Sequence, residues 1–233
     1  MIADGCPLPA SGRHYPERLP ASGRHYHGVW LMPSIITHAA VPLALWCAAD
    51  RGRIPPRLLA AGVIAAMLPD ADVLAFALHI PYADAFGHRG ASHSLLFACV
   101  LAAFAALLAF FGSRRPGSAV LCQPRLASTT ARSTAASTVQ AAVFVLVCAA
   151  SHPLLDAMTS GGLGVALAWP WSEHRFFAPW RPIRVSPFAP QFFSARGLAT
   201  LLSELRWVWL PLATAVVAWK LIHPAPAVPR EPS

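Results

Sequence analysis

The sequence predicts an all-α fold, a multi-pass membrane helical bundle with proline-broken helices around a metal pocket. Three observations carry that expectation. The 233-residue chain is 56% hydrophobic and 12% charged, with a mean hydropathy of +0.50, whereas an ordinary soluble domain has about 25% charged residues. From Met32 onward, apolar runs alternate with short punctuated loops. Ionisable side chains nevertheless sit within or at the ends of those runs, several beside prolines. No polar linker separates two cores, so the chain reads as one domain.

The segment ahead of Met32 differs from the rest. "LPASGRHY" occurs at 8–15 and again at 19–26, without the apolar core of a signal peptide. Residues 1–31 are expected to be a disordered extension with Met32 as a candidate start. The membrane-embedded domain then covers 32–222, and 223–233 form a disordered tail. The net charge of +8 comes from arginines clustered between apolar runs, not from a stripe along one element. It reads as loop charge flanking membrane helices, and no nucleic acid is expected as a partner. Cys47, Cys99 and Cys148 lie inside apolar runs and read as small buried hydrophobes.

The first run, 34–49, is short for a span and carries His38 near its start. The second, 58–80, is interrupted at "LPDAD", where Pro69 removes a backbone donor. The third, 94–111, is a clean apolar stretch of the roughly 18–20 residues a span needs. Residues 112–138, rich in Ser, Thr, Gly and Pro, read as a flexible loop. The fourth, 139–158, is interrupted at "SHPLLD", and the fifth, about 198–222, carries Glu204, Arg206 and Pro211. Four or five membrane passes follow.

The two interruptions share a depth. Asp70 and His152 each lie 13 residues beyond the ends near Arg57 and Val139, or about 20 Å at 1.5 Å per residue. Threading the helices up and down brings His38, Asp70, Asp72, His88, His93, His152 and Asp156 to one face. Histidines and carboxylates without a thiolate suit zinc or another divalent metal with open coordination positions. His152 and Asp156 stand four apart, on one helical face. Asp70 and Asp72 would point about 200° apart on a continuous helix, so one is expected to ligate, and Asp70 is preferred. Plainer roles exist for each residue: a hydrogen-bonded His38, Asp70 as a first-turn charge, Arg89 as a loop charge. Ionisable groups in a membrane are costly and usually functional, and their coincidence at one depth favours a site.

The ordered series "THAAVPLAL", "LPDADVL", "HRGASHSLL", "SHPLLDAMTSGG" and "WPWSEHRFF" resembles the YdjM-like family of inner-membrane metal-dependent hydrolases. That family is distantly similar to the zinc-dependent phospholipase C and P1 nuclease group of all-α phosphoesterases. The resemblance covers Met32 to Pro190 and leaves out the fifth run. It implies a bacterial inner-membrane location and makes His38, Asp70, His88, His93, His152 and Asp156 the metal-site positions. Asp72 and Arg89 become residues behind the ligands or facing substrate. The soluble enzymes use a fuller ligand set, so one or two zinc-like divalent ions are expected.

In the mechanism these residues suggest, a free carboxylate such as Asp72 takes a proton from a metal-activated water, and Arg89 pairs with a phosphate. Trp169, Trp171 and Trp180, with Arg175, Arg181 and Arg184, follow the fourth run as interfacial anchors or substrate walls. The expected partners are membrane lipids and a lipid-like or phosphoester substrate. A metal-ion or proton transporter using the same cluster is the alternative, and a membrane scaffold a third. Positive charge sets the orientation: Arg51, Arg53, Arg57, Arg114, Arg115, Arg125, Arg132, Lys220 and Arg230 share one side, against Arg89, Arg175, Arg181, Arg184, Arg196 and Arg206. That bias places the first group in the cytoplasm and the pocket on the outer face.

Overall fold

The computed structural model describes residues 31–32, 35–50, 52–113, 124–187 and 193–224. The expected extension apart from Leu31, and the expected tail apart from His223 and Pro224, lie outside these residues, and Leu31 belongs to a short strand where disorder was expected. Seven α-helices follow in order among the described residues: α1 Ala40–Ala48, α2 Pro56–Met67, α3 Leu74–Ala77, α4 Leu95–Ser113, α5 Pro124–Ala157, α6 Ala195–Glu204 and α7 Leu210–Ile222. A 3-10 turn, Ile35–Ala39, leads into α1, and a second, Leu68–Val73, joins α2 to α3. A π-helical turn, Leu205–Trp209, links α6 to α7. Two-residue strands, Leu31–Met32 and Ser186–Pro187, pair antiparallel at the edge of this helical fold.

Among the described residues, four segments are long and apolar enough to cross a membrane: Pro56–Ala77, Leu95–Ser113, Thr134–Ala157 and Ala195–Ile222. Ile35–Ala48 is apolar but shorter. Against the expectation of a loop over 112–138, the chain is helical from Pro124 onward. Proline is favoured in a first helical turn, where its missing N–H costs nothing. Further along, the hydroxyls of Ser137 and Thr138 donate to Thr134 O at 2.9 and 2.8 Å, which satisfies them within the helix. Composition alone made this stretch look like a loop.

The core lies where α5 packs on α2 and α4. Ala65, Ala66, Ala98, Phe144, Val145, Cys148 and Ala149 are buried there. Small residues let membrane helices approach closely. At Gly62 a side chain would run into the Phe144 ring and, at 3.0 Å, the Cys148 sulfur. Cys148 is accordingly buried, but Cys47 and Cys99 are exposed, which corrects the expectation for those two: they sit on helix faces turned away from the core. Phe104, Leu107, Leu108 and Phe111 of α4 are also exposed, as a lipid-facing surface requires. A second cluster of Ala40, Ile183 and Val208, with Leu155 and Leu212, ties α1 and α7 to the end of α5.

Candidate metal centre

The two proline sites place the carboxylates. α2 ends at Met67, and Pro69 opens the 3-10 turn that carries Asp70 and Asp72. At three residues per turn these side chains diverge by about 240°. Asp70 turns toward α5. Asp72 turns toward the segment preceding α4, where it accepts from Ser92 Oγ at 2.7 Å and from the Arg89 backbone N–H at 3.0 Å. It also lies 2.5 Å from His88 Nδ1 and 3.1 Å from His93 Nδ1. At Pro153, by contrast, α5 runs on unbroken to Ala157. His152 and Asp156 therefore keep helical spacing and share a face, and the expected break at "SHPLLD" is absent.

Residues 88–93 form a tight turn before α4. Arg89 adopts φ +61°, a left-handed conformation unfavourable for a side chain of its size. The guanidinium is fully buried. Its Nη1 donates to Thr159 Oγ1 at 3.0 Å and Gly161 O at 3.2 Å, and Nη2 donates to Asp156 Oδ1 at 3.4 Å. Nε is 3.2 Å from Asp156 Oδ2, an ion pair without hydrogen-bond alignment. Gly162, at φ +86°, passes so close that a Cβ there would sit 2.9 Å from Arg89 Nη1. Arg175 closes the outside of the turn, donating to His88 O, Tyr82 O and Asp84 O, each at 3.0 Å. Burial raises the pKa of Tyr82 in the same loop.

Asp70, His93, His152 and Asp156 converge, one donor atom of each lying within 4.8 Å of the others, and all four are buried. His93 Nε2 and His152 Nε2 are 2.9 Å apart. Asp70 Oδ1 lies 3.5 Å from His152 Nε2, and Asp156 Oδ2 lies 3.1 Å from His93 Nε2. The far ring nitrogens are anchored: His152 Nδ1 on Ala66 O at 2.7 Å, and His93 Nδ1 between Ser92 Oγ and Asp72. A histidine held through one nitrogen presents the other as a ligand. Burial works against a charged His93, but the adjoining Asp156 and Asp72 carboxylates outweigh it and hold its pKa at about 9.

His38 stacks on His152 with ring centroids 3.7 Å apart, and its Nε2 lies 3.7 Å from both Asp70 Oδ2 and Asp156 Oδ1. Neither His38 nitrogen and neither Asp70 oxygen has a hydrogen-bond partner. His88 stands apart from this group, behind His93 with ring centroids 5.6 Å apart, and its buried Nε2 has no hydrogen-bond partner. Of the eight residues singled out in the sequence, four form the tight cluster and His38 adjoins it. His88, Asp72 and Arg89 surround it.

Sequence reasoning passed over several supporting residues. Ser92 and Thr159 fasten Asp72 and Arg89, and Thr37 donates to Glu204 Oε2 at 2.8 Å with both side chains buried. Glu204 did carry a signal, a carboxylate inside an apolar run. Thr37 and Thr159 carried none.

Leaving a buried polar atom unpaired costs about 1–3 kcal/mol, and here several such atoms face one another. Donors sharing one ion at about 2.0–2.2 Å stand roughly 3–3.6 Å apart, close to the spacings observed. Two imidazoles and two carboxylates suit a divalent cation by chemistry as well as by distance.

The fold and the cluster define a helical membrane protein with a buried His/Asp cluster that could hold a metal ion. The chain belongs to the YdjM family: the model described as "YdjM inner membrane protein" matches residues 32–226. The match extends through α6 and α7, which the motif resemblance had left out; the Glu204–Thr37 contact and the cluster of Val208 and Leu212 with Ala40 pack that region against the segment that carries His38. The inner membrane protein YbcI of Escherichia coli (strain K12) is 45% identical over 192 residues, covering 81% of this chain and 99% of the relative. No solved structure matches.

Proposed function

We propose that this protein is a metal-dependent hydrolase of the inner membrane, acting on a phosphoester or lipid-like substrate. The observation that carries the proposal is the convergence of four buried ligand-type side chains, Asp70, His93, His152 and Asp156, with the unpartnered Asp70 oxygens facing His93, His152 and His38. A bound divalent ion, with zinc the best match to this donor set, would supply Lewis acidity for activating water and polarising a phosphoryl or acyl oxygen.

Each surrounding residue has a role that the geometry supports. Asp72 and Ser92 hold His93 by Nδ1, so that Nε2 faces the cluster. Asp72 also backs His88 at 2.5 Å. With its proton on Nδ1, His88 keeps an unpartnered Nε2 lone pair, making it a better proton acceptor than Asp72, whose oxygens are already engaged. Arg89 fixes and neutralises Asp156, so it positions a ligand and does not bind phosphate. Trp171, Trp180 and Phe86 are exposed on the loops around the same end of the bundle, which favours an amphiphilic substrate.

Transport is the weaker reading. A path across the bilayer needs polar groups at successive depths, whereas Ala65, Ala66, Ala98 and Cys148 pack directly behind the cluster.

The test is elemental analysis of the detergent-purified protein and its His152→Ala variant, together with hydrolysis of a chromogenic phosphodiester and of phospholipid vesicles. Metal in the parent, its loss in the variant and chelator-sensitive hydrolysis are expected. Near-zero metal in both proteins would sink the metal-centre reading. Bound metal with ion flux in liposomes and no hydrolysis would favour transport.

A further inference from the structure

The two central carboxylates divide their oxygens between two sets of nitrogens. Asp70 Oδ1 lies 3.5 Å from His152 Nε2 and 3.8 Å from His93 Nε2, while its Oδ2 lies 3.7 Å from His38 Nε2. Asp156 repeats the pattern: Oδ2 is 3.1 Å from His93 Nε2 and 3.7 Å from His152 Nε2, and Oδ1 is 3.7 Å from His38 Nε2. One ion seated between His93 and His152 would draw on Asp70 Oδ1 and Asp156 Oδ2. It would leave Asp70 Oδ2, Asp156 Oδ1 and His38 Nε2 facing one another.

We propose that the cluster holds two divalent cations, one on His93 and His152 and the other on His38, bridged by Asp70 and Asp156. This rests on the metal-centre reading above and specifies how many ions that centre takes and which side chains divide them. His38 supplies the independent observation, being fully buried with neither ring nitrogen hydrogen-bonded. A lone buried histidine with two idle nitrogens is costly, and a second ion gives one of them a partner.

Arg89 approaches Asp156 on both oxygens, at 3.2 and 3.4 Å. Each carboxylate oxygen carries two lone pairs, so this contact leaves one on each for an ion. With the imidazoles neutral, two divalent cations against Asp70, Asp72, Asp156 and the Arg89 guanidinium leave the pocket net positive. That excess is what an anionic phosphoester would neutralise on binding, and it selects such a substrate over a neutral acyl ester.

The experiment uses the full chain in detergent, stripped with chelator and reloaded with Zn(II) or with Mn(II). Zinc per chain is measured by elemental analysis, and the Mn(II) form is examined by electron paramagnetic resonance. Two zinc ions per chain and a spin-coupled Mn(II) pair are expected in the parent, against one zinc and an uncoupled Mn(II) signal in His38→Ala. A single uncoupled ion in the parent overturns the bridged pair and leaves a one-ion hydrolase standing. No ion in the parent overturns both readings, and two ions retained by His38→Ala overturn the assignment of the second to His38. Should His38→Ala fail to fold, the parent spectrum decides alone: uncoupled Mn(II) at saturating metal overturns the bridge.

Discussion

Pro69 and Pro153 stand on neighbouring helices close to one cluster, yet the chain treats them differently. At Pro69 the α-helix gives way to a 3-10 turn, and at Pro153 it continues. The residues that follow account for the difference. Pro69 precedes "DAD", and aspartate is a weaker helix former than leucine, while Asp72 is drawn away to Ser92 Oγ and the Arg89 N–H. Pro153 precedes Leu154 and Leu155, both strong helix formers. The outcomes suit opposite tasks. The turn sends Asp70 and Asp72 to different sides, one into the cluster and one behind it, whereas the continuous helix keeps His152 and Asp156 together. One site tolerates irregular backbone and the other depends on regular backbone.

The largest effect should come from the regular side. Asp156 is fully buried against the equally buried Arg89, and removing one partner of such a pair typically costs about 3–5 kcal/mol. Asp156→Ala should therefore lose both metal and fold, seen as a collapsed thermal transition in detergent. A stable, metal-free Asp156→Ala would mean that Arg89 is not held as the distances indicate.

Asp70→Asn should separate the two losses. Its carboxylate accepts no hydrogen bond, so the change should abolish metal binding while stability shifts by no more than about 1 kcal/mol. Unfolding comparable to that of Asp156→Ala would reveal a structural role and erase the contrast between the two carboxylates. Asp72→Asn should fall between them. It leaves the ligands in place but puts an amide where Ser92, the Arg89 N–H and His93 converge, and loss of such a supporting partner lowers metal affinity roughly 10–100-fold. Competition against a chromogenic zinc chelator measures that change, and an affinity equal to the parent's would detach Asp72 from His93.

How much of this was legible in the sequence follows the same division. Asp70 and His152 do meet, at 3.5 Å, although the depth count that brought them together started at Val139 and the helix carrying His152 begins well before it; the four-residue spacing of His152 and Asp156 placed them on one face. The extent of α5 was not legible, since Ser and Thr in "STTARSTAAST" resemble a loop until the hydroxyls of Ser137 and Thr138 are seen bonding back along the helix. Nor was the engagement of Arg89. Nothing local tells an arginine in a loop from one buried against a carboxylate 67 residues away. The partnership of Thr37 and Glu204, 167 residues apart, is likewise a product of packing.

The smallest expected effect tests the proline itself. If α5 is regular through Pro153, that residue costs the helix one N–H donor toward the carbonyl four residues earlier and adds nothing to the cluster. Pro153→Ala would restore the donor, and an intramolecular hydrogen bond is worth about 0.5–1.5 kcal/mol net. A membrane helix can offset much of the original loss by local adjustment, so the gain should lie near the lower end of that range. Metal stoichiometry and affinity should match the parent, because His152 and Asp156 already hold helical spacing. A rise of a few degrees in the detergent melting temperature with unchanged zinc content is the expected result. Loss of zinc in Pro153→Ala would mean that the proline bends α5 enough to aim His152 at His93. The two proline sites would then differ in degree and not in kind.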